Sequence, residues 1–211
     1  MQKPKYCFGD FEYSCLDKTT NDGLPIISIG IVICDSKLHF MDSFYKTIKP
    51  LKNEILSERC KKLTGLTQEE IDSSKDFDIV CAECLDFINQ YNLDNILIWG
   101  QGDHISVKYD FKLHREQGLP YSNIKLLKKR MKDIEPYLMK KVNLHCHIGL
   151  QRLQKMFAIK ANDLVKHNAL DDAILLSRLF YVLTRTNLNN KHEYQEYLIK
   201  IAKKKQLNCK K

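Results

Sequence analysis

The chain has 211 residues, of which 44% are hydrophobic, and its formal net charge is +8 at pH 7. This content argues against a disordered chain, and the length suits one compact domain. The longest apolar run, residues 26–34, is too short to span a bilayer, and no apolar signal region follows the N-terminus. We therefore expect a cytoplasmic protein without membrane contact, whose positive charge suits an anionic partner such as nucleic acid.

The first quarter of the chain predicts an antiparallel meander. Strand-like runs cover residues 5–13, 26–34 and 38–48. The turn-rich segment 16–25 separates the first two runs and predicts a loop. Strands that come first, followed by alternating helices and strands, predict an α/β fold with a mixed sheet.

Two acids, Asp10 and Glu12, lie two residues apart in the first of these strands. Because side chains alternate across a strand, both carboxylates point to the same face. Like charges at this spacing repel each other, and a divalent cation such as Mg²⁺ or Mn²⁺ would offset the repulsion. Taken alone, such a pair is more often a solvated strand end. A metal site is indicated only if other acids of the chain lie close to it.

Helices are predicted next along the chain. Ser57 can cap a short helix that Gly65 ends. Thr67 and Glu70 fit a capping box at the start of a second short helix. Residues 77–91 carry apolar side chains at helical spacing and predict a longer helix.

Asp103 follows the strand predicted over residues 96–99 and a glycine turn. By itself, an acid at such a place is more often a helix N-cap than a ligand. Residues 104–117 fit a strand and a helix equally, because their apolar positions satisfy both periods. Beyond them we predict a last strand over 131–137 and helices over 150–157, over 170–183 and around Tyr194, Tyr197, Leu198 and Ile201.

His167 precedes two adjacent acids, Asp171 and Asp172, at the start of the helix predicted over 170–183. Neighbouring helical residues point about 100° apart, so both acids cannot face one site. Asp172 heads an apolar stripe and should face inward. The stripe consists of Leu175, Leu176, Leu179 and Leu183.

Cysteines and lysines suggest further, weaker hypotheses. Most of the eight cysteines stand among apolar neighbours, which predicts reduced, buried thiols: Cys7, Cys15, Cys34, Cys60 and Cys146. A zinc site built from Cys81, Cys84, His145 and His147 is the weaker alternative, since no second Cys pair stands at ligand spacing. Two basic clusters, in residues 125–132 and 198–211, are either phosphate contacts or solvated surface.

Four stretches together resemble the DEDDh branch of the DnaQ-like 3′-5′ exonucleases. They are Asp10-Phe11-Glu12-x-Ser14-Cys15, Leu56-Ser57-x-x-Cys60-x-x-Leu63-Thr64-Gly65-Leu66-Thr67-Gln68, Trp99-Gly100-x-x-Asp103 and His167-x-Ala169-x-x-Asp172. Within that branch the chain is similar to the Eri-type exoribonucleases and to bacterial KapD-like relatives. The resemblance implies a ribonuclease H-like fold, with a mixed central sheet flanked by helices and a helix over 104–117.

The resemblance also implies a site and a reaction. Asp10, Glu12, Asp103 and Asp172 would hold two divalent metal ions, Mg²⁺ or Mn²⁺, and His167 would be the general base. The expected activity is 3′-5′ hydrolysis of single-stranded nucleic acid, RNA rather than DNA, to nucleoside monophosphates.

Two alternatives stay open at this point, a regulatory or nucleic-acid-binding protein of the same fold and a DNA proofreading subunit. We expect the exonuclease domain to cover residues 1–190, and a C-terminal helix and basic tail to cover residues 191–211.

Overall fold

The structure is a computed structural model and describes residues 3–15, 24–52, 55–142 and 146–185. Strands β1 (Pro4–Tyr13), β2 (Ile26–Asp35) and β3 (Phe40–Lys49) form an antiparallel meander. β2 is buried along its whole length, as expected for a strand with a neighbour on each side and helices on both faces. The three predicted strands and their order are confirmed.

Three short strands complete a six-stranded mixed sheet. They are β4 (Lys75–Asp76), β5 (Ile96–Ile98) and β6 (Met131–Asp133), and the strand order is β4-β3-β2-β1-β5-β6. β5 runs parallel to β1, and β6 runs parallel to β5. This mixed sheet confirms the predicted α/β class.

The first two helices begin where the sequence predicts, and the first also ends at the predicted Gly65. α1 (Glu58–Thr64) starts at Ser57, whose hydroxyl accepts a hydrogen bond from the Cys60 N–H at 3.1 Å. Gly65 ends α1 in a left-handed conformation with a φ of 75°. α2 (Gln68–Asp72) carries the complete capping box between Thr67 and Glu70.

Six longer or later helices surround the sheet: α3 (Phe77–Asn89), α4 (Gly102–Glu116), α5 (Ser122–Arg130), α6 (Glu135–Lys141), α7 (Leu150–Met156) and α8 (Ala169–Arg185). Residues 104–117, whose apolar pattern fits a strand and a helix equally, lie almost entirely in the helix α4, as the resemblance implies. The predicted strand over 131–137 is wrong beyond Asp133. There the Asp133 carboxylate accepts the Glu135 N–H at 2.9 Å, and Pro136 suits the first turn of a helix.

Apolar cores lie on both faces of the sheet. One packs α3, α4 and α5 against residues such as Phe11 and Ile29, and the other packs α6, α7 and α8 against residues such as Phe8 and Val32. Three of the five cysteines predicted to be buried free thiols are buried, namely Cys7, Cys34 and Cys60, and Cys81 and Cys84 are buried free thiols as well. Cys15 and Cys146 are only half-buried, which corrects the prediction for those two.

Some expectations concern residues that the structure does not describe. The C-terminal amphipathic helix, the basic tail and the domain boundary at residue 190 all fall in residues 186–211. Within the described ranges, no helix is both long and apolar enough to cross a membrane.

Candidate active site

The alternation of β1 separates a core face from a site face. Phe11 points into the core beneath α3, whereas Asp10 and Glu12 share the opposite face with Phe8, toward α8. Asp10 pairs with Gly30 and Glu12 with Ser28 on β2. Both carboxylates are half-buried and line a cleft at the surface.

Asp103 reaches the same cleft from the end of β5. The chain turns at Gly100, whose φ is +77°, and α4 then begins, so Asp103 lies in the first helical turn. It is not the N-cap, which is Gln101. Asp103 is buried, and its Oδ2 atom has no hydrogen-bond partner among the described residues. Such a buried, unpartnered carboxylate oxygen suits a cation ligand.

Asp172 comes from the first turn of α8 and is buried at the cleft. Its carboxylate accepts hydrogen bonds from Gln151 Nε2 at 2.7 Å and from the His167 N–H at 3.2 Å. The neighbouring Asp171 instead accepts the Val165 N–H at 2.8 Å, in the loop before the helix. The two acids therefore point to different surroundings, as the leucine stripe predicted.

His167 lies in the left-handed region, with a φ of +58°. This conformation is uncommon for a residue with a side chain, and it lets the backbone N–H bind Asp172 while the ring lines the cleft. One ligand atom each from Glu12, His167 and Asp172 lie within 4.8 Å of one another. Within the described ranges this is the one such cluster, so the described candidates Cys81, Cys84 and His147 form no zinc site there. His145 lies outside those ranges.

The structure thus brings all five predicted site residues to one cleft of about 420 Å³. They come from three distant parts of the chain, and neutral polar, cationic and aromatic side chains complete the walls. The further lining residues are Phe11, Tyr13, Trp99, Gly102, His147, Gly149, Leu150, Gln151 and Arg152. A cleft of this size, with converging acids, can receive a nucleotide and hold cations beside its phosphate.

Burial is the main cause that raises the pKa values of the four carboxylates, and neighbouring acids add to it. Burial, with the nearby Asp172 carboxylate, raises the pKa of Glu12 to about 8, and burial raises the pKa of Asp172 to about 6. Burial and the neighbouring acids hold the pKa values of Asp10 and Asp103 well above their usual range. Bound cations would favour the ionised carboxylates and reverse these shifts.

The pKa of His167 moves in the opposite direction. Burial, helped by the charge of Lys166, lowers it below its ordinary value. Its imidazole is therefore neutral at pH 7 and able to accept a proton.

Two residues that shape the site, Gln151 and Gly30, were not predicted from the sequence. Gln151 orients Asp172, and Gly30 makes room for α8 beside Asp10. The sequence around Gln151 or Gly30 carries no motif that marks either residue, because each contacts a residue that is distant in the sequence. Trp99 is buried, and its indole N–H donates to the Ile148 carbonyl at 3.0 Å.

Comparisons with known proteins agree on one enzyme family. The model of the family RNase_T, described as exonuclease, matches residues 8–180. The human protein named 3′-5′ exoribonuclease 1 is 26% identical over 148 residues, which is 68% of this chain and 39% of that protein. The rat protein of the same name is 30% identical over 89 residues, which is 41% of this chain and 26% of that protein. The matched part is thus a minority of each relative's length.

Solved structures show the same fold. The nuclease domain of 3′hExo, a DEDDh family member bound to rAMP, superposes with a TM-score of 0.72 at 22% identity. The superposition covers 83% of this chain and 89% of that one. A structure of a 3′-exonuclease that recognises a histone mRNA stem-loop gives a TM-score of 0.73 at 21% identity, over 84% and 63% of the two chains. The predicted ribonuclease H-like fold is confirmed.

Proposed function

The chain belongs to the RNase_T exonuclease family, and from that premise we propose that it is a metal-dependent enzyme that degrades single-stranded RNA from its 3′ end to nucleoside monophosphates. One observation carries the proposal. Four carboxylates and a histidine, from three distant parts of the chain, line a single cleft. Without a function, so many acids in one buried place would only lower stability.

The acids suit hard divalent cations. Asp10, Glu12, Asp103 and Asp172 offer only oxygen ligands, which Mg²⁺ and Mn²⁺ prefer. The unpartnered Oδ2 of Asp103 supports this use, because a buried carboxylate oxygen without a hydrogen bond is costly unless a cation takes it. Two such ions, when bound, would activate water and stabilise the charge that develops on the phosphate.

The protein's own groups would prepare the attack. His167 is half-buried at the cleft, and its lowered pKa keeps it neutral at pH 7, so it can take the proton of the attacking water. Its left-handed backbone and the hydrogen bond to Asp172 fix where the ring stands. Gln151 holds the other oxygen of Asp172. The carboxylate of Asp172 and the imidazole of His167 are thus oriented by the same hydrogen bonds.

RNA is the favoured substrate because of the relatives. The matched human and rat proteins are named exoribonucleases, and one similar structure contains rAMP. The presence of all four carboxylates and the histidine argues against a protein that only binds nucleic acid. No residue of the cleft specifically favours the alternative of a DNA proofreading subunit.

A degradation assay tests the proposal. Single-stranded RNA carrying a 5′ label should shorten stepwise from its 3′ end in Mg²⁺ or Mn²⁺, with release of mononucleotides. Excess EDTA should stop the reaction. Equal activity in EDTA and in Mg²⁺, or internal cleavage without stepwise products, would contradict it.

A further inference from the structure

A second histidine of the cleft is held by a buried carboxylate. Glu135, the first residue of α6, is only 7% exposed, and both of its carboxylate oxygens lie 2.8 Å from His147 Nδ1. Glu135 Oε1 also accepts the Ile148 N–H at 3.2 Å. The His147 side chain itself is 68% exposed and lines the cleft.

This contact determines which face of the imidazole is available. A carboxylate only accepts hydrogen bonds, so Nδ1 of His147 donates to Glu135, and in that tautomer Nε2 is a hydrogen-bond acceptor. Glu135 is the only hydrogen-bond partner of His147 within the described part of the chain. The exposed edge of the ring therefore presents an oriented hydrogen-bond acceptor to whatever enters the cleft.

The backbone around His147 is held from several sides. The Trp99 indole N–H binds the Ile148 carbonyl, and Asp133 binds the N–H groups of both Gly100 and Glu135. A β-carbon at position 100 would lie 2.9 Å from Glu135 Oε2 and 3.3 Å from His147 Cε1, so glycine permits this close packing. The acceptor is thus positioned before substrate binds.

We propose that His147 Nε2 accepts a hydrogen bond from the ribose 2′-hydroxyl of the nucleotide in the cleft, and that this contact favours RNA over DNA. The inference rests on the proposed function, since it assigns a sugar subsite to the same cleft. Phosphate oxygens only accept hydrogen bonds, so they do not match an Nε2 atom that is itself an acceptor. The 2′-hydroxyl is the donor that every ribonucleotide carries and DNA lacks.

The test compares the wild type with His147→Ala on matched single-stranded RNA, DNA and 2′-fluoro oligomers. The 2′-fluoro group occupies the same place and cannot donate. The variant should lose about five- to tenfold in kcat/KM on RNA, the effect of one hydrogen bond, and little on DNA or the 2′-fluoro oligomer. Glu135→Gln, which keeps an acceptor for Nδ1 without the charge, should show a smaller loss with the same selectivity.

His39→Ala is the matched control. His39 also pairs with a carboxylate, Asp35, at 3.2 Å, and it lies outside the residues that line the cleft. Its removal should leave the rates on all three polymers unchanged.

Equal losses on RNA and DNA in His147→Ala would overturn the proposal, because a purely structural role lowers both rates together. The affinities of the wild type and of His147→Ala for labelled RNA and DNA, measured by fluorescence anisotropy in EDTA, test it without turnover. A wild type that binds RNA better than DNA, with the difference lost in the variant, supports the subsite even if the degradation assay fails. An unchanged ratio of affinities refutes it, whatever the outcome for the proposed function.

Discussion

Gly30 of β2 is in backbone contact with Ala169 at the start of α8: a β-carbon at position 30 would lie 2.3 Å from the Ala169 carbonyl carbon. Gly30 is also the residue that pairs with Asp10 across the sheet. The helix that carries Asp172 therefore reaches the strand that carries Asp10 because one position of β2 has no side chain.

Gly30→Ala should destabilise the protein strongly and reduce its activity. The added carbon would collide with the backbone of α8, which cannot move without displacing Asp172, and we expect a loss of about 3 kcal/mol or more in the free energy of unfolding. Urea unfolding measures it. Gly9→Ala is the control, because its added carbon would meet side-chain atoms of Ile96 and Ile31, and its loss should be smaller. An unchanged unfolding midpoint for Gly30→Ala would show that the contact is looser than described.

Gln151→Ala should weaken metal binding and activity about 10- to 100-fold, because the amide no longer orients the Asp172 carboxylate. Calorimetric titration with Mn²⁺ and initial rates on RNA measure the two effects. Gln154→Ala on the same helix is the matched control, since that amide donates to the Ile159 carbonyl. If both variants behave alike, the effect comes from damage to α7 and the assignment of Gln151 is wrong.

His167→Asn should lower turnover on RNA by about 10²- to 10⁴-fold, while Mn²⁺ affinity stays close to that of the wild type. Asparagine tolerates the left-handed backbone at this position, so the variant isolates the loss of the imidazole. Rates at saturating Mn²⁺ and calorimetry separate the two quantities. Lost affinity with normal turnover per bound metal would instead make His167 a ligand.

Asp110→Asn should change how stability depends on pH. Burial raises the pKa of Asp110 to about 7, so the folded protein holds a proton that the unfolded chain releases at lower pH. The wild type therefore loses stability as pH rises from about 4 to about 7, and the loss persists above that range. Asparagine keeps an acceptor for the Ile26 N–H, which Asp110 binds at 2.7 Å, without the charge.

At pH 8, Asp110→Asn should consequently be more stable than the wild type by an amount on the order of 4 kcal/mol, and at pH 4 the two should be similar. Thermal unfolding across this pH range is the measurement. A variant that is less stable at pH 8 would show that the ionised carboxylate contributes favourably.

Local rules in the sequence predicted much of the fold. Alternation predicted the meander and the shared face of Asp10 and Glu12, and capping chemistry predicted α1 and α2. The helix α4 was ambiguous because Ile105 continues an apolar alternation, yet its side chain is 47% exposed and takes no part in the core. The strand predicted over 131–137 is too long, because α6 starts with a hydrogen bond between the Asp133 carboxylate and the Glu135 N–H. Hydrophobic periodicity does not reveal such a contact.

The same rules predicted the acids of the site but not the residues that orient its side chains. Asp172 could be selected over Asp171 because a leucine stripe runs along its helix. Gln151 and Glu135 could not be selected, because each acts through a residue on another segment, Asp172 and His147 respectively. Their importance arises only when the chain has folded.

The pair Asp171 and Asp172 offers the most direct test of the proposed site. The two acids are adjacent, yet only Asp172 lies in the cleft, and Asp171 binds the Val165 N–H. The measurement is the rate of single-stranded RNA degradation in Mg²⁺ by the Asp171→Asn and Asp172→Asn variants. We predict that Asp172→Asn abolishes degradation and that Asp171→Asn retains much of the wild-type rate. An active Asp172→Asn beside an inactive Asp171→Asn would contradict the proposed metal site.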